Sequence, residues 1–133
     1  MKTTLRNAGL MLCFYLIIAL KANAQDAKDV KNLKDKTPPQ RAQYQTGLMK
    51  SKLTLDSIQL VKVQAINLKY AQQFDKILKS DDAKMSRIKQ AMSLQKSKDT
   101  ELKVIFTASQ YKQYQAIENE LMARVKDNVK GLN

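Results

Sequence analysis

Few side chains in this sequence can do covalent or metal chemistry. It has no His, which removes the commonest general base and the commonest transition-metal ligand. Its single cysteine, Cys13, lies in an apolar amino-terminal run, so residues 25–133 hold no thiol. A disulfide framework, a thiol nucleophile and a thiolate metal site are thereby excluded, as are a hydrolase triad and a His-ligated haem. Carboxylates remain as acid–base groups, but they are scattered and Asp81-Asp82 is the only adjacent pair. That pair stands where a helix start is expected, a position at which Asp acts as an N-cap. Beyond residue 24 the only glycines are Gly47 and Gly131, too few for a phosphate-cradling loop. No catalytic, cofactor-binding or metal-binding residue is assigned, and the chain is expected not to be an enzyme and to need no cofactor.

The amino-terminal 24 residues carry Lys2, Arg6 and Lys21 but no acid, and Ala8 to Leu20 is almost wholly apolar. With Ala22-Asn23-Ala24 as the cleavage site, this reads as a secretory signal peptide and predicts Gln25 as the first mature residue. The apolar run falls short of the ~20 residues a membrane-spanning helix needs, so no stable membrane insertion is expected after cleavage. Residues 25–36 are charged and poor in apolar groups, and read as a flexible lead-in. Residues 37–133 then form a single domain, since domains of about 100 residues are ordinary. Of the formal net charge of +12, three cations leave with the signal peptide and the mature chain keeps +9.

The elements that must position any surface are helices. Glycine is scarce, both prolines are adjacent at Pro38-Pro39, and Gln, Lys, Leu, Ala and Met dominate, which together argue for an all-α fold. Helix starts are marked by their caps. Thr37-Pro38-Pro39-Gln40 and Thr107-Ala108-Ser109-Gln110 both read as Thr-x-x-Gln capping boxes. The second is flanked by Phe106 and Tyr111 as a hydrophobic staple. Leu53-Thr54-Leu55-Asp56-Ser57-Ile58 is read the same way, with Thr54 as the cap, Leu53 and Ile58 as the staple, and Ser57 where the Gln would stand. Ser80-Asp81-Asp82 supplies the remaining cap. Helices are predicted at about 38–51, 55–79, 82–104 and 108–129.

Periodicity agrees with these spans. Tyr114, Ile117, Leu121 and Val125 make one stripe, and Met85, Ile88, Met92 and Leu102 another. The second helix carries two stripes on nearly opposite sides: Ile58, Val61, Ala65 and Leu68 on one, Val63, Ile66, Tyr70, Phe74 and Ile77 on the other. Two apolar faces need two things to bury against. Neighbours within the monomer could cover both; otherwise the second face meets another subunit or an unfolded ligand.

The Leu-Thr start at Leu53-Thr54, followed by Phe106-Thr107-Ala108-Ser109-Gln110 behind a signal peptide, resembles the LTxxQ-motif family of Spy/CpxP-like periplasmic proteins. The stretches TPPQRAQYQTGLMKSKLTLDSIQ and ELKVIFTASQYKQYQ extend the likeness over about residues 37–129. The chain departs from the pattern at Ser57, which replaces the first Gln, and at Phe106, which replaces the second Leu. The resemblance implies an elongated four-helix arrangement paired into a cradle-like homodimer in the periplasm. It also implies an ATP-independent chaperone of the envelope stress response, with unfolded or misfolded proteins as partners. Leu53, Thr54, Phe106, Thr107 and Gln110 would then fix helix starts and their packing, not bind clients.

A client-binding surface fits the composition. No acid occurs from Ala83 to Lys98, where Lys84, Arg87 and Lys89 are the candidate client-binding cations. Met49, Met85, Met92 and Met122 add adaptable apolar contact. The competing readings are an adaptor of the same fold binding one envelope sensor, and a peripheral membrane-surface helical protein. Nucleic acid is not expected as a partner, because the chain is exported and has no recognisable nucleic-acid motif.

Overall fold

The computed structural model describes residues 36–130, with side chains described through residue 119. The expected signal peptide, most of the lead-in and the side chains of Leu121, Met122 and Val125 lie outside those residues. The fold is all-α, with four helices: α1 (Pro38–Leu53), α2 (Ser57–Lys79), α3 (Lys84–Ile105) and α4 (Ala108–Lys130). Residues Lys36–Tyr111 make one compact unit, which holds α1, α2, α3 and the first turn of α4. The rest of α4, from Lys112, belongs to a second unit. There Tyr114 is buried and its hydroxyl donates to Glu118 at 2.9 Å.

In the first unit α2 is the central element and packs on both α1 and α3. Of its two apolar stripes one faces inward: Val63, Ile66, Tyr70 and Phe74 are buried, with Ala71 and Asn67 between them. Ala42, Met49 and Leu53 of α1 and Leu102 of α3 complete the apolar core. Burying one large apolar side chain contributes roughly 1.5–3 kcal/mol, so few such residues make a modest core. Polar groups fill the remainder. Thr46 donates to the Ala42 carbonyl at 2.8 Å and accepts from buried Asn67 Nδ2 at 2.9 Å. Arg41, itself buried, donates to the Lys36 carbonyl at 2.9 Å and to Asp75 at 2.8 Å. Lys98 of α3 is buried and donates to Gln45 of α1 at 3.0 Å.

Two caps differ from the sequence reading. Thr54 is not the cap of α2; it ends α1 with φ 52° and ψ 55°, a left-handed conformation unfavourable for a β-branched residue. The cap is Asp56, two residues on, whose carboxylate accepts the Gln59 N–H at 2.8 Å while Gln59 Oε1 accepts the Asp56 N–H at 3.1 Å. Ser57 therefore does not replace the box glutamine; Gln59 is that glutamine. Leu55 takes the staple position and is buried, whereas Ile58 faces solvent. Likewise Ser80 terminates α2, its N–H and hydroxyl both donating to the Ile77 carbonyl. α3 starts at Ala83, with no side-chain cap, and Asp82 instead accepts from Gln90 at 2.9 Å.

The start of α4 is as read: the Thr107 N–H donates to Gln110 Oε1 at 2.9 Å, and the Gln110 N–H to Thr107 Oγ1 at 3.2 Å. At the start of α1, Gln40 Oε1 accepts the Thr37 N–H at 3.0 Å and Pro38 occupies the first turn. The boxes at Asp56–Gln59 and Thr107–Gln110 meet. Gln59 Nε2 donates to Gln110 Oε1 at 2.7 Å, and Gln110 Nε2 returns a bond to Gln59 Oε1 at 3.1 Å. Each amide also reaches the carbonyl end of another helix, α3 for Gln59 and α1 for Gln110. Gln59 Nε2 donates to the Ile105 carbonyl at 3.0 Å, and Gln110 Nε2 to those of Leu53 and Thr54 at 3.1 and 3.4 Å. Carbonyls at a helix end have no partner inside the helix, so this clasp satisfies groups that would otherwise need water.

The clasp makes a distinctive demand on residue 110. In an isolated capping box Glu serves as well as Gln, because only the side-chain oxygen is used. Here Gln110→Glu would turn every Nε2 donation into an oxygen–oxygen contact. It should therefore lower stability by ~1–3 kcal/mol, and Thr107→Ala by ~0.5–2 kcal/mol. Thr54→Ala should show no capping loss. An unchanged thermal midpoint for Gln110→Glu would show that the box acts only locally.

Candidate functional site

The outward faces of the α2–α3 hairpin carry the candidate binding surface, and polar contacts fix how α3 lies on α2. Glu101 accepts from Lys69 Nζ at 2.6 Å and from the Tyr70 hydroxyl at 2.8 Å. Arg87 Nη1 donates to the Leu78 carbonyl at 3.5 Å, placing a cation at the negative end of α2. On the other side of α2, Asp75 bridges Arg41 at 2.8 Å and Lys79 at 2.6 Å.

These contacts also shift protonation. Asp75 is held below the usual carboxyl range by its bond to Lys79, with Arg41 adding to the effect. The Glu101 carboxyl is lowered by Lys69 first and then by the Tyr70 hydroxyl. Burial, then the Glu101 hydrogen bond and the negative charges of Glu101 and Asp99, push the Tyr70 phenol up to about 12.

The outer stripe of α2 stays uncovered by the described residues. Ile58 and Val61 are 69% and 72% exposed, Ala65 is exposed, and Leu68 is half-buried. On α3, Met85 and Met92 do not join Leu102 in the core as their spacing suggested; they are 62% and 59% exposed. The reason is rotational. Buried Lys98 and Leu102 set the inner face, and at 100° per residue Met85 and Met92 fall roughly a quarter turn or more away from it. Lys89 and Lys96 share their face at four- and three-residue intervals and are exposed. Val104, 86% exposed, follows Glu101 by one turn. Because Glu101 is tied to Lys69 in the neighbouring antiparallel helix, Val104 lies on the side of the hairpin that carries Ala65.

Of the expected client-binding cations, Lys84 and Lys89 are exposed, whereas Arg87 is half-buried and engaged with the end of α2. Arg87 thus has a packing contact that Lys84 and Lys89 lack. Leu53 and Phe106 are buried, Thr107 and Gln110 take part in the clasp, and Thr54 does not cap α2. Missed in the sequence were Asp56 and Gln59, although Asp-x-x-Gln is itself a cap signature. Also missed was an open trough of about 560 Å³ between α2 and α3, lined among others by Gln73, Lys76 and Ile77 facing Lys89, Gln90 and Leu94. Among the described residues no group of His, Cys, Asp and Glu is placed to hold a metal ion, and no helix is long and apolar enough to cross a membrane.

A family model described as a domain of unknown function (DUF4890) matches residues 24–114, more than half of the chain. No curated protein and no solved structure matches it.

The protonation shifts set the pH limits of the first unit. Carboxyls lowered in the fold stabilise it above their unfolded values, and that contribution is lost as pH falls through the folded ones. The urea midpoint should therefore drop on acidification below about pH 4, and Asp75→Asn should flatten the drop. A phenol raised in the fold works in the opposite sense. Its contribution is full below pH 10 and is lost between pH 10 and about 12, so Tyr70→Phe should weaken the alkaline loss. Tyrosinate absorbance and denaturant titrations at each pH check both.

Proposed function

We propose that this chain, which belongs to the DUF4890 family, is an exported, non-enzymatic and ATP-independent chaperone that binds unfolded or aggregation-prone envelope proteins. The observation that carries the reading is the set of five large apolar side chains, Ile58, Val61, Met85, Met92 and Val104, exposed on the α2–α3 hairpin. Large apolar side chains left exposed on a helical hairpin offer contact area to a partner. Here exposed Lys62, Lys69, Lys89 and Lys96 lie on the same helices. The resemblance to the LTxxQ-motif family points the same way, and the paired boxes strengthen it, since Leu55 to Gln59 supplies the glutamine that Leu53 to Ser57 lacks. The reading includes a periplasmic location and a homodimer formed over part of this apolar surface.

Binding would divide between two kinds of contact. Lysines speed encounter with acidic segments through a field that salt screens over ~8–10 Å, whereas apolar contacts slow release. Met suits this role because its unbranched side chain adapts to many partners.

Light scattering from a chemically denatured client, without nucleotide, tests the reading. The protein should delay aggregation in proportion to its concentration. Met85→Gln with Met92→Gln should leave the helical CD signal intact and speed client release about three- to tenfold. Lys84→Gln with Lys96→Gln should slow association, most at low salt. Arg87→Gln should instead lower the thermal midpoint. A folded protein that neither delays aggregation nor binds a denatured chain at any salt would overturn the reading in favour of an adaptor for one envelope sensor.

A further inference from the structure

The α2–α3 trough holds an arrangement that the chaperone reading does not require. Lys76 comes from α2 and Lys89 from α3, and neither has a hydrogen-bond or ion-pair partner among the described residues. No carboxylate lines the trough. The nearby acids already have partners: Asp75 with Arg41 and Lys79, Asp82 with Gln90 of the trough lining, and Glu101 with Lys69 and Tyr70. Ile77 and Leu94, one apolar group from each helix, line the same trough. Gln73, at the α2 side, has an amide with no partner among the described residues.

We infer that this trough is a binding site for an acidic peptide segment, its carboxylate held between Lys76 and Lys89 and a neighbouring apolar side chain resting on Ile77 and Leu94. Charge complementarity selects the occupant. Two ammonium groups on facing helices, with no carboxylate in the lining, favour an anion, and the apolar lining groups favour one with an apolar neighbour. The Gln73 amide can donate to and accept from a peptide backbone. The trough is also open along its length, at about 560 Å³, so an alkyl chain laid in it would keep much of its surface in water. A peptide can instead seat one side chain and leave the rest solvated. This rests on the chaperone reading in naming an unfolded chain as the source of the segment, and it adds a place and a chemical preference.

Fluorescence anisotropy with a labelled Gly-Ser peptide carrying alternate Glu and Leu, and with its Gln-for-Glu counterpart, tests the site. The wild type should prefer the Glu peptide. Lys76→Gln with Lys89→Gln should weaken that binding about three- to tenfold, since exposed ion pairs contribute ~0.2–1 kcal/mol each. Lys50→Gln with Lys52→Gln removes the same charge from the exposed end of α1 and should change it much less. Equal losses in the two variants, or no preference for Glu over Gln, would overturn the site. So would binding of phosphatidylglycerol vesicles that depends on Lys76 and Lys89 when peptide binding does not. The two readings separate cleanly. Undiminished Glu-peptide binding by the Lys76/Lys89 variant, in a protein that still delays client aggregation, removes the trough alone. Lysine-dependent peptide binding by a protein that fails to delay aggregation removes the chaperone reading and leaves an acidic-peptide site.

Discussion

Two glutamine side chains hold the ends of four helices in one place. Each oxygen of Gln59 and Gln110 accepts the N–H that opens its own helix, each nitrogen reaches the carbonyl end of another helix, and the two amides bond to each other. An amide has an acceptor at one end and donors at the other, which is why neither Glu nor Ser can do this. Because each oxygen is already committed to a backbone N–H, the orientation of both amides is fixed, and the mutual bond follows. The left-handed Thr54 sits inside this arrangement, its carbonyl within reach of Gln110. A conformation that would favour Gly is tolerated there because surrounding bonds hold the chain on both sides of it.

With its turns fixed at one end, α2 has α1 on one flank and α3 on the other, and two helices cannot cover the whole circumference of a third. The inner stripe is buried and the outer stripe is left to solvent. The interior between the helices is filled partly by Arg41, Gln45, Thr46, Asn67 and Lys98, each buried. Arg41, Thr46, Asn67 and Lys98 all donate hydrogen bonds there. Spending interior positions on polar groups, while Ile58, Val61, Met85, Met92 and Val104 stay outside, is the reverse of what burial alone would select. That inversion is the physical basis for reading the hairpin as a binding surface.

Charge is arranged to the same effect. The three described ion pairs use Asp75 and Glu101, and both lie where helices meet. Two of the acids thus hold helices together, while lysines such as Lys62, Lys76, Lys89 and Lys96 remain exposed. A surface with unpaired cations and scattered apolar groups is soluble alone and attractive to chains that expose the opposite charge beside apolar residues.

The sequence by itself determined that the chain is helical, where all four helices begin to within two residues, and that α2 carries two opposed apolar stripes. Those features follow from glycine scarcity, capping chemistry and 3.6-residue periodicity, all of which act over a few neighbouring residues. It also determined that chemistry needing His or Cys has no groups to use beyond residue 24. Tertiary structure alone decided that Gln59 and Gln110 meet, that Lys98 points inward while Met85 and Met92 point outward, and that Arg87 closes the end of α2. Lys and Met are long and flexible, and their helical spacing is compatible with either side; only the rotation of α3 against α1 and α2 chooses between them. Thr54 shows the limit most directly. Thr and Asp are both N-cap residues, yet Thr54 takes the left-handed turn that ends α1 within reach of Gln110, and the helix starts at Asp56, the stronger cap of the two.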